Sequence, residues 1–150
     1  MITAKGEKQS FDKLRTSGAE AICVELEVLQ AMQSAAQQAY PDEACGILLG
    51  EGGRITAFQS APNVHPSPRT HFEIDPQTLI NAHKQARTGG PQVIGYFHSH
   101  PKGEAIPSKT DRAMSAGDGA VWAIAAGGEV RFWYDGVDVF RAIAHSRSKP

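Results

Sequence analysis

Val93-Ile94-Gly95-Tyr96-Phe97-His98-Ser99-His100-Pro101 is the stretch on which the reading of this chain turns. Its run from Val93 to His98 is apolar and aromatic, so it reads as a strand. Side chains alternate along a strand with period two, which puts His98 and His100 on one side, where their imidazoles can share an ion. Asp111 follows eleven positions after His100 and adds a carboxylate. Two neutral imidazoles and one carboxylate leave a vertex of a tetrahedral ion open, as in a catalytic zinc site rather than a closed structural one. With one zinc per chain held by His98, His100 and Asp111, the sequence reads as a hydrolase.

Outward from that strand the pattern alternates. Asp75-Pro76 reads as an N-cap with proline at the first helical position, opening a helix through Leu79, Ile80, Ala82, His83 and Ala86. Gly89-Gly90 stops it. After the histidines, a loop with Gly103 and Pro107 leads to a short helix from Ser108 to about Ala116. Three strands are expected at Val121–Ala125, Val130–Tyr134 and Val139–Ala144, with Gly127-Gly128 and Asp135-Gly136 at the turns. Upstream, Leu29, Met32, Ala36 and Ala39 recur at helical spacing between Glu25 and about Tyr40. Ala44–Gly50 reads as a buried strand, and Arg54 to about Ser60 as its return past Glu51-Gly52-Gly53. Ala21–Val24 reads as a short edge strand, and Pro62, Pro66 and Pro68 mark an irregular loop ending near His71. The fold class is mixed α/β (α+β): a sheet with helices packed on it and the zinc site at a strand end.

Bulk properties narrow the class without choosing the chemistry. A chain of 150 residues that is 41% hydrophobic and 21% charged suits one soluble globular domain with a real core. A net charge of -1 gives no electrostatic footprint for nucleic acid or an anionic membrane, and no apolar run is long enough to span one. Residues 1–20 are expected to be a loose leader without a secretory apolar core, residues 21–146 the domain, and residues 147–150 a tail. Two cysteines, Cys23 and Cys45, suggest no disulfide framework, which makes a reducing cytoplasm the expected location.

Water activated at a zinc ion still needs a group to take its proton and hand it on. Glu43 is the candidate, at the entrance to a strand expected near the metal strand, although spacing alone does not bring the two together. Ser108 stands three residues before Asp111, so both can face the metal from the first turn of a helix, with the hydroxyl placed to donate to an oxyanion. Ser108-Lys109-Thr110-Asp111 also has the outline of a capping box, and the two roles are compatible. Cys45 reads as a buried apolar thiol, and His65, His71, His83 and His145 as surface or loop residues. Trp122, Phe132 and Trp133 read as sheet core or sheet face.

His98-Ser99-His100, seven residues, Ser108, two residues and Asp111, with Glu43-Ala44-Cys45-Gly46 upstream, resembles the JAMM (MPN-plus) metalloprotease family. The likeness covers about residues 21–144, and the run Tyr40–Gly50 looks like the small stand-alone prokaryotic members. The resemblance implies a cytidine-deaminase-like sheet flanked by helices and zinc held by His98, His100 and Asp111. It also implies Glu43 as general acid and base, and Ser108 as stabiliser of the tetrahedral intermediate. The implied activity is hydrolysis of peptide or isopeptide bonds at the C-terminal tail of a ubiquitin-like protein, with sulfur-carrier proteins as the expected substrates. The Pro62–His71 and Lys102–Ile106 loops are then expected to flank a groove where such a tail adds a strand to an exposed edge. Two alternatives stay open: a non-catalytic MPN-like module that binds a ubiquitin-like partner, and an iron enzyme using the same two histidines and carboxylate.

Overall fold

Among residues 21–148, which the computed structural model describes, the period-two segments become seven strands and the period-3.6 segments three helices. In chain order these are β1 (Ala21–Glu25), α1 (Leu26–Ala39), β2 (Cys45–Glu51), β3 (Arg54–Ala61), α2 (Pro76–Arg87), β4 (Gln92–Ser99), α3 (Lys109–Met114), β5 (Val121–Ala126), β6 (Glu129–Asp135) and β7 (Phe140–Ser148). The leader expected over residues 1–20 and the last two positions of the expected tail lie outside the described residues.

The strands close into a barrel in the order β1-β3-β2-β4-β5-β6-β7, and β7 pairs back onto β1. That closure corrects the expectation of an edge strand at Ala21–Val24, because β1 is parallel to β3 on one side and to β7 on the other. The physical reason lies in the main chain: β3 and β7 pair with the two rows of β1 N–H and C=O groups, one of which an edge strand would leave bare. Ile22 and Val24 meanwhile pack into the core at 2% and 0% exposure. Each of the seven strands has a neighbour on both sides over part of its length, while β3 beyond Ile55 pairs only with β2 and β6 before Phe132 only with β5. One apolar core joins β1, β2, β4, β5 and β6 to the buried stripe of α1, Val28, Leu29 and Met32. Phe97 lies at its centre, wholly buried and edge-on to Phe58 at 5.1 Å. Helix α2 covers the other face of β2 and β4, laying Ala82 and Leu79 on Ile47, Leu49 and Val93. It begins as its sequence dictates, with the Asp75 carboxylate accepting from Thr78 N at 3.1 Å and proline at its start.

Two backbone features of β4 aim the histidines. Leu48 pairs with Gly95 and Leu49 with Val93, so Ile94 is an extra residue in the ladder. This bulge lets Ile94 and Phe97 both enter the core while Tyr96 turns to the opposite face, the side that His98 and His100 then share. Gly95 lets β4 lie against β5, since a Cβ there would fall 1.7 Å from the Val121 carbonyl oxygen. Gly95→Ala is therefore expected to cost about 1–3 kcal/mol, read as a lower denaturant midpoint with an unchanged slope.

Candidate metal and catalytic site

At the end of β4, the serine between the two histidines locks the strand to its neighbour. Ser99 Oγ accepts from Ala44 N at 2.8 Å, and Ser99 N donates to the Ala44 carbonyl at 3.1 Å. His100 N continues the ladder on the other side by donating to the Ala125 carbonyl at 2.8 Å. His98 and His100 are thus fixed by main-chain bonds from both flanks, with side chains on one face.

The third group comes from α3. Asp111 Oδ2 lies 3.1 Å from Nε2 of both histidines, and those two nitrogens are 3.0 Å apart. The same oxygen accepts from Ser108 N at 2.9 Å, while Ser108 Oγ accepts from Asp111 N at 3.0 Å. The expected capping box is therefore formed, and the carboxylate that completes it is the one that faces the histidines. Ser108 keeps its own O–H as a donor, beside the cluster and half-buried.

A triangle of electron-pair donors at such spacing calls for positive charge at its centre. Ligands about 2.0–2.2 Å from a tetrahedral zinc stand roughly 3.3–3.6 Å from one another, so the triangle fits such an ion after a shift of a few tenths of an ångström. The protonation states agree with that use. Burial, outweighing the Asp111 bond, pushes His98 below the ordinary imidazole value and keeps it neutral. Burial would also raise Asp111, but its bonds from His100 and His98 and the Ser108 amide hold it well below the usual carboxylate range. His100 donates Nδ1–H to the Glu104 carbonyl at 2.7 Å, which leaves Nε2 with a free lone pair on its neutral form. Burial lowers His100, yet its contacts with Asp111 and Glu104 and the charges of Asp111 and Glu43 raise it overall.

Glu43 reaches the site through strand register. Cys45 pairs with His98 and Ala44 bonds to Ser99, so the next step of the antiparallel ladder brings Glu43 opposite His100. Period two puts its side chain on the face of Cys45 and the histidines. Its carboxyl is pushed up to about 7, chiefly by burial, with the His100 charge lowering it and the Asp111 charge raising it. Cys45 is the inert thiol its sequence context suggests: burial and then the Glu43 charge push it up to about 12.

The five expected site residues thus lie on one patch of the molecule, and the cluster of His98, His100 and Asp111 includes none of the other four histidines. His83 is half-buried on α2 and His145 is exposed on β7, so neither is a loop residue, whereas His65 and His71 stack on each other in the proline loop. Sequence reasoning missed the aromatic walls. Phe72 stacks on His98 at 4.3 Å and Trp122 stands edge-on to it at 5.7 Å, leaving His98 1% exposed. Trp122 was legible only as sheet core or sheet face, and nothing in the pattern around Phe72 signalled that the loop would fold back over the histidine. The Lys102–Ile106 loop is held by His100 at Glu104 and by Trp133 Nε1, which donates to the Ala105 carbonyl at 3.1 Å.

The chain has relatives of known name. It is 34% identical over 86 residues to a protein of Haloferax volcanii named desampylase, covering 56% of this chain and 62% of that one. It is 39% identical over 71 residues to a probable TtuB-protein conjugate cleaving protease of Thermus thermophilus, 47% of either chain. The matches thus span less than two thirds of either relative's length. The solution structure of a Desulfitobacterium hafniense protein superposes with a TM-score of 0.74 at 27% identity, covering 86% of this chain and 94% of that one. Residues 25–135, which carry every strand and helix described except β1 and β7, match the family model for prokaryotic homologs of the JAB domain. With that match over well more than half of its length, the chain belongs to the prokaryotic JAB-domain family.

Proposed function

We propose that this protein is a zinc-dependent peptidase that cuts amide or isopeptide bonds at the C-terminal tail of ubiquitin-like, sulfur-carrier-type proteins. The observation that carries the reading is the cluster of His98, His100 and Asp111, with the Glu43 carboxyl near enough to feel the charges of His100 and Asp111. His98, His100 and Asp111 would hold the zinc. Bound there, the ion supplies Lewis-acid polarisation and a water acidic enough to attack near neutral pH. Glu43 takes the proton of the attacking water as the new C–O bond forms, and passes it to the amine nitrogen as the C–N bond breaks. Burial holds this carboxyl at about 7 in the metal-free protein, and the positive charge of a bound ion would lower it toward the base form that accepts the proton. The Ser108 hydroxyl donates to the carbonyl oxygen as charge develops there.

The substrate class rests on the names of the relatives, one of which is named a probable TtuB-protein conjugate cleaving protease. Proteins with flexible Gly-Gly tails suit the site, since a tail without side chains can pass a narrow approach. No helix of the described residues is long and apolar enough to cross a membrane, in keeping with a substrate met in solution. The test is to incubate zinc-loaded protein with ubiquitin-like proteins carrying C-terminal extensions and read the products by mass spectrometry. Cleavage directly after the tail, abolished by a chelator and restored by zinc, is the expected result. Stoichiometric zinc with tight tail binding and no product would make the protein a binding module instead. Iron as the metal in protein purified without supplement would point to the oxygenase alternative.

A further inference from the structure

Asn63, in the proline loop, uses its side chain more fully than any role in loop geometry requires. Its Nδ2 donates to the carbonyls of Glu43 and His71, both at 3.0 Å. Its Oδ1 accepts from His65 N at 3.1 Å and Glu73 N at 3.0 Å. Two donors and two lone pairs are the whole capacity of an amide, and all four are spent within the protein. Three of the four partners matter for the site. His71 and Glu73 flank Phe72, the ring stacked on His98, and the remaining carbonyl is that of Glu43 itself.

Glu43 has reason to need such a partner. The ladder of β2 begins at Cys45, and the last bonds to β4 are those of Ala44 with Ser99. Glu43 stands one residue beyond, where register aims it toward His100 and its own main-chain bonds go to the proline loop instead of β4. Its N–H donates to the Pro68 carbonyl at 2.7 Å and its carbonyl accepts from Asn63, so the proline loop takes both main-chain groups. Main-chain bonds from Val64 N to the Glu73 carbonyl at 2.9 Å and from Asp75 N to the Pro62 carbonyl at 3.1 Å pair this loop with the Phe72 segment, but none of them reaches the Glu43 carbonyl. A side-chain amide does it instead.

We propose that Asn63 is the positioning residue of this site, tying the Glu43 main chain to the segment that lays Phe72 over His98. The inference rests on Glu43 acting as general base, but its geometric half does not. Asn63→Asp is isosteric and keeps the acceptor to His65 and Glu73 while losing the donors to Glu43 and His71. Asn63→Ala loses both. Each variant is loaded with zinc and compared with wild type for metal content, amide hydrogen exchange, kcat and KM. The exposed exchange of Gln77 for Ala on α2 serves as control. About one zinc per chain should remain, and the Glu43 amide should exchange faster than in wild type and control. Cleavage should lose about 10- to 100-fold in kcat with KM nearly unchanged, for both variants. Wild-type exchange at Glu43 in a folded Asn63→Asp protein would overturn the proposal. So would a kcat loss that appears only in step with loss of zinc. If wild type itself cleaves no tail, the assigned reaction falls, and the exchange measurement alone still decides whether Asn63 holds Glu43.

Discussion

Glu43→Gln is expected to lower tail cleavage by about 10²- to 10⁴-fold while leaving metal content unchanged. The amide has nearly the volume and polarity of the protonated acid, so packing against Cys45 and the loop should survive. It cannot accept a proton from water or return one to the leaving amine. A binding module would tolerate the change, and a peptidase would not. The same variant carries a second, opposite effect that needs no substrate. In the metal-free protein the Glu43 carboxyl stands at about 7, above its ordinary 4.5. The folded state therefore keeps a proton that the unfolded chain gives up, and Glu43 costs the protein stability as pH rises across that window. Below about 4.5 both states are protonated and the two proteins should melt alike. Above about 7 the metal-free Gln variant should melt higher than wild type, because it has no buried charge to strand. Equal melting of the two at pH 8 would mean that the carboxyl is solvated and unlike the group described here.

How much of this was legible in the chain depends on the range of the signal. Asp75-Pro76, Ser108 with Asp111, and the strand of His98 and His100 announce themselves locally. Caps are closed by bonds within four residues and alternation is written in consecutive side chains, and all three elements are formed as read. Ile22 and Val24 show where locality ends. Their spacing says strand, but only contacts made more than a hundred positions away, at Ala144 to Ser148, say that the strand is enclosed on both sides. The position of Glu43 is a matter of register between β2 and β4, and the bulge at Ile94 that keeps this register compatible with the core has no sequence mark. Asn63 and Phe72 lie in a loop whose prolines signal only irregularity, so the bonds that make them important are visible in coordinates alone. The grouping of His98, His100 and Asp111 was thus readable from residue types and spacing, and the loop that closes over it was not.

Asp111 offers the sharper test of the metal centre, because its carboxylate serves two structures at once. Oδ2 faces both histidines and also closes the N-terminal turn of α3 on Ser108 N. Asp111→Asn preserves an acceptor oxygen for that amide but removes the negative charge. Asp111→Ala removes both. The depressed Asp111 carboxyl stabilises the metal-free fold above its ordinary 3.8, so at neutral pH both variants should melt below wild type, and the Ala variant lower still by about 1 kcal/mol with the cap. Toward zinc the two should behave alike. A neutral amide is a poor ligand for the ion, and the remaining imidazoles form a two-point site. Affinity should fall by more than about 100-fold, beyond what losing a mere supporting partner of a ligand costs. Chelator competition measures that fall directly, and cleavage of a tail substrate should drop to background in both variants. The pairing of results is what discriminates. If Asp111 were only a helix cap, the two substitutions would still part company in the melt, but the Asn variant would bind zinc as wild type does.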